Sequence, residues 1–132
     1  MSEWWRWLPK KDGEASGFAV VGIGRFGTAV CLELVRNGAD VLAVDSSERA
    51  IEDLLQIEPS IEARKVDSTD EESMREAGVL EMGTVVVGIS EPIEASITTT
   101  LIAKDSEGSQ VRQVIARATS DLHEKMLKRV GA

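Results

Sequence analysis

The chain has 132 residues, 42% hydrophobic and 29% charged, the size and balance of one ordinary globular domain whose core needs no disulfide or structural metal. Its formal net charge of -8 argues against nucleic acid as a partner, since that affinity rests on Lys and Arg neutralising phosphates, but it leaves room for one small anion held by a local turn. Apolar runs such as residues 18–21 are too short to span a bilayer, the first six residues lack the apolar stretch of a signal peptide, and the single Cys31 has neither a disulfide partner nor a metal-ligand pattern, all of which fits a reducing cytoplasm.

Residues 1–17 read as a flexible N-terminal tail without helical or alternating pattern. All three tryptophans, Trp4, Trp5 and Trp7, lie in it; their alternative use is docking on a partner or at a membrane interface. Residues 18–23 are short, apolar and β-branched and end in glycine, as a buried parallel strand does. From Arg25 to Arg36 the apolar residues Phe26, Ala29, Val30, Leu34 and Val35 recur at helical spacing, and Asn37-Gly38 stops that helix. Residues 41–44 give a second buried strand. A second helix over about 47–56 has Ser46 or Ser47 as cap and Ile51, Leu54 and Leu55 on one face. Residues 61–66 form a weaker strand, followed by the capping oxygens of Asp67-Ser68-Thr69-Asp70 and a helix over about 70–77 that ends at Gly78. Residues 84–89 are the cleanest strand. Glu91-Pro92 opens a long helix to about Asp105, with Pro in its first turn. A fifth strand over 111–118 and a last helix over 121–129, with Leu122, Met126, Leu127 and Val130 on one face, complete the chain.

Five strands separated by helices pair in parallel through right-handed crossovers. The expected fold is α/β, a doubly wound parallel sheet of Rossmann type in a single domain over 18–132, with strand order 3-2-1-4-5. The stop at Val130-Gly131-Ala132 reads as truncation before a further strand or domain.

The candidate site is the turn Gly22-Ile23-Gly24-Arg25-Phe26-Gly27. It lies where a G-x-G-x-x-G motif gains meaning: after a strand, at the opening of a helix, with an acidic residue closing the next strand. Gly22 permits the tight turn, Gly24 lets phosphate approach the backbone, and Gly27 lets helix and strand pack closely. Free N–H groups and the positive helix end then converge on one anion site. The alternative is a glycine turn with a structural role only. Arg25 opposes the helix dipole unless an anion is bound, which makes it a phosphate ligand or else a solvated side chain. Asp45 is placed for the ribose hydroxyls, or for a helix cap. With Ser46 and Ser47 rather than a basic residue after it, Asp45 disfavours the 2′-phosphate of NADP. Asp67, Ser68 and Thr69 reach the base or merely cap the next helix. Gly88 allows close ligand approach or simply turns the chain.

Machinery for catalysis is hard to find. There is no tyrosine, one histidine, His123, on the last helix and far in sequence from the strand ends, and a cysteine that reads as core filling. A nucleotide site without chemistry suggests a sensor rather than an enzyme. The competing readings are an NAD-dependent oxidoreductase fragment whose catalytic domain is missing, and a general NAD-binding interaction module.

The stretch from Phe18 to Gly27, with Arg-Phe between its second and third glycines, resembles the opening of RCK (KTN, TrkA-N) domains, the cytosolic regulators of Ktr and Trk potassium uptake systems and of some potassium channels. Residues 41–45, 67–70, 93–97 and 123–132 are similar as well, so the resemblance covers all but the tail and is closest to Ktr-type soluble subunits. It implies a nucleotide switch: ATP, ADP or NAD(H) in the crevice changes the geometry of a homodimer. In the full-length protein an octameric ring then passes the change to a membrane potassium translocator, with the subunit cytoplasmic and peripheral to the inner face of the membrane. By matched position it implies that the glycine turn and Arg25 hold phosphates, that Arg25 reaches the terminal phosphate on the neighbouring subunit, and that Asp45 holds the ribose. Asp67, Ser68 and Thr69 would lie near the adenine, and Arg117 would be a basic position near the ligand. The chain departs from the family pattern in Asp67-Ser68, where Asn-Ala or Asp-Ala is frequent. The family's next strand, its acidic residue associated with divalent cations and its C-terminal ligand domain have no counterpart, so the chain resembles the N-terminal lobe alone.

Overall fold

A computed structural model describes residues 16–132; residues 1–15, with the three tryptophans and most of the expected tail, lie outside the described residues. Strands β1 (Phe18–Val21), β2 (Val41–Asp45), β3 (Glu62–Lys65), β4 (Thr84–Val87) and β5 (Gln113–Ala116) alternate with helices α1 (Arg25–Arg36), α2 (Glu48–Ile57), α3 (Glu71–Ala77), α4 (Ile93–Asp105) and α5 (Asp121–Val130). All pairings are parallel, and the order is β3-β2-β1-β4-β5, as expected for a doubly wound sheet. A 3-10 turn at Val79–Glu81, which periodicity did not reveal, carries the chain from α3 into β4.

The strands bury both faces because side chains alternate across the pleat. Phe18, Val20, Val41, Ala43 and Val86 face Cys31 and Leu34 of α1 and Ile51 and Leu54 of α2. Ala19, Val21, Leu42, Val44, Val85 and Val87 face Met74 of α3 and Ala103 of α4. β3 is an edge strand with mostly exposed charged side chains, which discourages further edge pairing.

Several elements are shorter than the apolar runs that foretold them. β1 ends at Val21 and β4 at Val87: the chain turns at Gly22, whose φ is +91°, and Gly88 lies against that turn. β5 omits Val111, Arg112, Arg117 and Ala118. Pro92 is the N-cap of α4 rather than part of its first turn. The apolar face expected of α5 is corrected too: Leu122 and Met126 are exposed, and the buried residues are His123 and Leu127. α5 rests on α4, and α4 meets the core with small residues, Ser96, Thr99, Thr100 and Ala103.

Candidate nucleotide crevice

The glycine turn is shaped by contacts that only glycine satisfies. Gly22 has φ +91°, the left-handed region that side chains avoid. A Cβ on Gly27 would overlap the Gly22 carbonyl oxygen, and one on Gly88 would lie 2.7 Å from the same atom. α1 and β4 thus close on the turn from two sides. Gly24 differs: a Cβ there meets nothing within 4 Å, so its missing side chain leaves open space.

Gly24 is the N-cap of α1 and lends no side-chain cap to the helix, whose first turn holds no acidic residue. The first-turn amides of a helix have no intrahelical acceptor, and the space beside Gly24 is open. Not every N–H of the turn is free: that of Gly22 donates to the Val44 carbonyl, and a second engaged residue is Ile23. Its N–H donates to Asp45 Oδ2 at 2.8 Å, while its side chain is buried in the core beneath α1 and α2. The other oxygen of Asp45 accepts the Ser47 N–H at 2.8 Å. Asp45 sits at the end of β2 on the crevice wall and clasps backbone on either side, without itself being the cap of α2. Ser47, not Ser46, caps α2, accepting from the Ala50 N–H at 3.2 Å.

A crevice of about 290 Å³ runs over the carboxyl ends of the strands, lined by Gly22, Gly24, Asp45, Ser46 and Gly88, by Asp67, Ser68 and Thr69, and by Ile89, Glu91, Pro92 and Ala95. This is the topological switch point, where β1 is flanked by β2 and β4 and where open α/β sheets take ligands. Eight of the thirteen residues singled out from sequence line it. Ile23, Arg25, Phe26, Gly27 and Arg117 do not: Ile23 and Gly27 shape the turn from beneath, and Arg25 lies on its outer side, exposed, at the mouth of the groove between α1 and α2. Arg117 follows β5 and places its guanidinium 5.5 Å from the centroid of the half-exposed Phe26 ring. Ile89, Glu91, Pro92 and Ala95 escaped the sequence reading; the strand-to-helix step after β4 was the signal that could have found them.

On the β3 side the side chains satisfy one another. Asp67 Oδ1 accepts from Thr69 Oγ1 at 2.6 Å and from the Thr69 N–H at 3.0 Å. These bonds, the hydroxyl's first, hold the Asp67 carboxyl below its ordinary range. The cap of α3 is Asp70, through the Ser73 N–H. Ser68 is engaged elsewhere, its Oγ 2.7 Å from Oγ1 of the buried Thr99. His123, expected to be a surface or packing residue, packs: it is buried, with Nε2 3.1 Å from Ser96 Oγ and Nδ1 accepting the Thr119 N–H at 3.1 Å. Burial pushes the Cys31 thiol up to about 12, as core filling should. Among the described residues no group of three or more His, Cys, Asp or Glu could hold a metal ion, and no helix is long and apolar enough to cross a membrane.

Comparison with known proteins now joins the geometry. The TrkA-N domain model matches residues 18–132. Potassium uptake protein C of the Ktr system of Bacillus subtilis (strain 168) is 39% identical over 115 residues, covering 87% of this chain and 50% of that protein. Ktr protein A of the same organism is 34% identical with the same coverage, so the chain spans half the length of these relatives. Among solved structures, the TrkA-N domain of the inner membrane protein ybaL from Escherichia coli superposes with a TM-score of 0.77 at 21% identity, covering 91% of this chain and 85% of that one. The GsuK channel bound to NAD does so with 0.74 at 14% identity, covering 97% and 23%; at these identities the likeness is one of fold. With the family model spanning the whole sheet and all five helices, the chain belongs to the TrkA-N domain family.

Proposed function

We propose that this chain is the nucleotide-sensing part of a cytosolic regulatory subunit of a potassium transport system, in which ATP, ADP or NAD(H) in the crevice gates a membrane K+ translocator. The observation that carries the reading is the uncapped start of α1 at Gly24, open to ligand, with the Asp45 carboxylate beside it on the crevice wall. Phosphate supplies the anion that the first-turn amides lack, and ribose hydroxyls add donors to the Asp45 carboxylate, whose two oxygens keep acceptor capacity beyond the Ile23 and Ser47 N–H groups. The potassium-uptake relatives and the NAD-bound channel of the same fold lend support. Asp45 with Ser46 and Ser47 disfavours NADP.

Arg25, exposed beside the turn, is the residue we assign to a terminal phosphate, including that of a neighbouring subunit. Arg117, stacked on Phe26, adds positive charge on the same side. The exposed apolar side chains Ile93 and Leu101 on α4 and Leu122 and Met126 on α5, the helix packed beside it, support self-association, a homodimer and, in a full-length protein, an octameric ring. The oxidoreductase reading lacks a comparable observation: the sole histidine is buried against Ser96 and Thr119 rather than facing the crevice.

Thermal unfolding with each nucleotide tests the proposal. Ligand at a hundred times its Kd stabilises by ~2.7 kcal/mol, a rise in Tm of several degrees. ATP, ADP or NAD(H) should give that rise and NADP(H) should not. Stabilisation by NADPH alone, with hydride transfer to a substrate, overturns it.

A further inference from the structure

α4 is unusual in its buried face, which carries hydroxyls. Ser96, Thr99 and Thr100 are all fully buried. A buried helical Thr usually returns its hydroxyl to the carbonyl four residues back, and Thr100 does so, donating to the Ser96 carbonyl at 2.9 Å. Its neighbour Thr99 does not. Thr99 Oγ1 lies 2.7 Å from Ser68 Oγ and 3.2 Å from the Ser68 carbonyl oxygen. With one proton per hydroxyl a single arrangement satisfies both contacts: Thr99 donates to the Ser68 carbonyl, and Ser68 donates to Thr99 Oγ1.

This reciprocal pair joins the two walls of the crevice. Ser68 belongs to the β3–α3 loop, with Asp67 and Thr69 beside it on one wall; α4 supplies Pro92 and Ala95 to the other. The loop is tied at its ends, by the Val66 N–H to the Asp45 carbonyl and by Asp70 to the first turn of α3, and is stiffened between them by Asp67 to Thr69 and by the Asp70 N–H to the Asp67 carbonyl; the Ser68–Thr99 pair is its link to α4. One turn before Thr99, Ser96 is fixed to His123 of α5, so the helix that receives the latch is itself anchored.

We infer that Ser68 and Thr99 are positioning residues that set the width of the base end of the nucleotide crevice, and thereby its selectivity for adenine over guanine. The Ser68 hydroxyl contacts no ligand; it holds Asp67 and Thr69 in place. An ionised Asp67 at the rim accepts hydrogen bonds and does not donate them, so it favours a base with an exocyclic amino group where adenine has one and guanine has a carbonyl. That preference depends on the loop being held still. The inference rests on the proposed nucleotide site.

The test uses Thr99→Val, which keeps the shape and deletes the hydroxyl, with Ser68→Ala and the conservative Thr99→Ser. Hydrogen–deuterium exchange without ligand reads the latch itself. Thr99→Val and Ser68→Ala should speed exchange at residues 67–70 about tenfold, and Thr99→Ser should not, the size of one lost buried hydrogen bond. ATP and GTP affinities read its use: both deleting variants should lower the ratio of ATP to GTP affinity about fivefold to tenfold, with the double variant no worse than either single one, and Thr99→Ser should restore it. A ratio unchanged in Thr99→Val, or exchange unchanged at 67–70, overturns the latch. A wild-type chain that binds no nucleotide while exchange shifts as described overturns the nucleotide site, and with it the base-end role, but not the latch geometry.

Discussion

Asp45→Ala separates two tasks that the unliganded structure already shows overlapping. The carboxylate accepts the Ile23 N–H and the Ser47 N–H, each at 2.8 Å. Hydrogen bonds to a charged group contribute ~1.5–3 kcal/mol each, and with Asp45 half-exposed the low end applies, so the variant should lose about 3 kcal/mol of stability without ligand, read by urea unfolding. Binding should fall for two reasons, lost ribose contacts and a glycine turn no longer held at Ile23. A cycle of two proteins and two ligands divides them. Replacing ATP by its 2′,3′-dideoxy analogue should cost the wild type at least tenfold in Kd, about 1.4 kcal/mol, and cost Asp45→Ala much less. The variant should still bind the dideoxy analogue more weakly than wild type does, because its turn is misplaced. Identical unfolding curves for the two proteins refute the clasp, and an equal dideoxy penalty in both refutes the ribose contact.

Gly24→Ala and Gly27→Ala should behave oppositely. The first puts its methyl into open space at a φ of −75°, leaving the urea midpoint unchanged while blocking nucleotide binding in calorimetry; the second drives a methyl into the Gly22 carbonyl and should lose several kcal/mol of stability. Arg25→Ala should weaken ATP more than ADP in titration calorimetry, and equal loss removes Arg25 from the terminal phosphate. Cys31, its thiol raised to about 12 by burial, stays protonated in the fold while an unfolded thiol ionises near 9. That contribution is complete below pH 9 and erodes above it, by up to about 1.4 kcal/mol per pH unit, so Cys31→Ser should flatten the alkaline limb of the stability profile. In native protein at pH 8, Cys31 should react with iodoacetamide only as fast as the chain opens.

The sheet was legible because its signals are local. Apolar β-branched runs, each closed by glycine or a capping residue, reported the strands whichever neighbours they later found, and crossover handedness then fixed the order. The glycine turn was legible for a similar reason: three glycines at set spacing answer constraints within a single strand–turn–helix. What stayed hidden was pairing at a distance. Nothing in the spacing of Asp45 says that its oxygens clasp the Ile23 and Ser47 N–H groups, or that Ser68 gives its hydroxyl to Thr99 across the crevice. The α5 face misled because helical periodicity counts apolar residues without knowing which side meets α4. There the buried position is the polar His123, satisfied by Ser96 and Thr119, and Leu122 is left outside.

The charge of the chain explains how an acidic protein would seat an anion, and which way round. The side chains that line the crevice include Asp45, Asp67 and Glu91, and no cation. Positive charge lies at the turn: the uncapped end of α1, Arg25 on its outer side, and Arg117 over Phe26. A nucleotide under the proposed reading then has one favourable direction. Its phosphates belong at the turn, where first-turn amides and two guanidinium groups offset the acidic background. Its donors, ribose hydroxyls and an amino group on the base, belong toward the carboxylates, which accept hydrogen bonds only. The reverse orientation would set phosphate beside two or three carboxylates and leave the helix end empty. Net charge of -8 therefore does not oppose the site; its acidic share within the crevice acts on the half of the ligand that carries no charge.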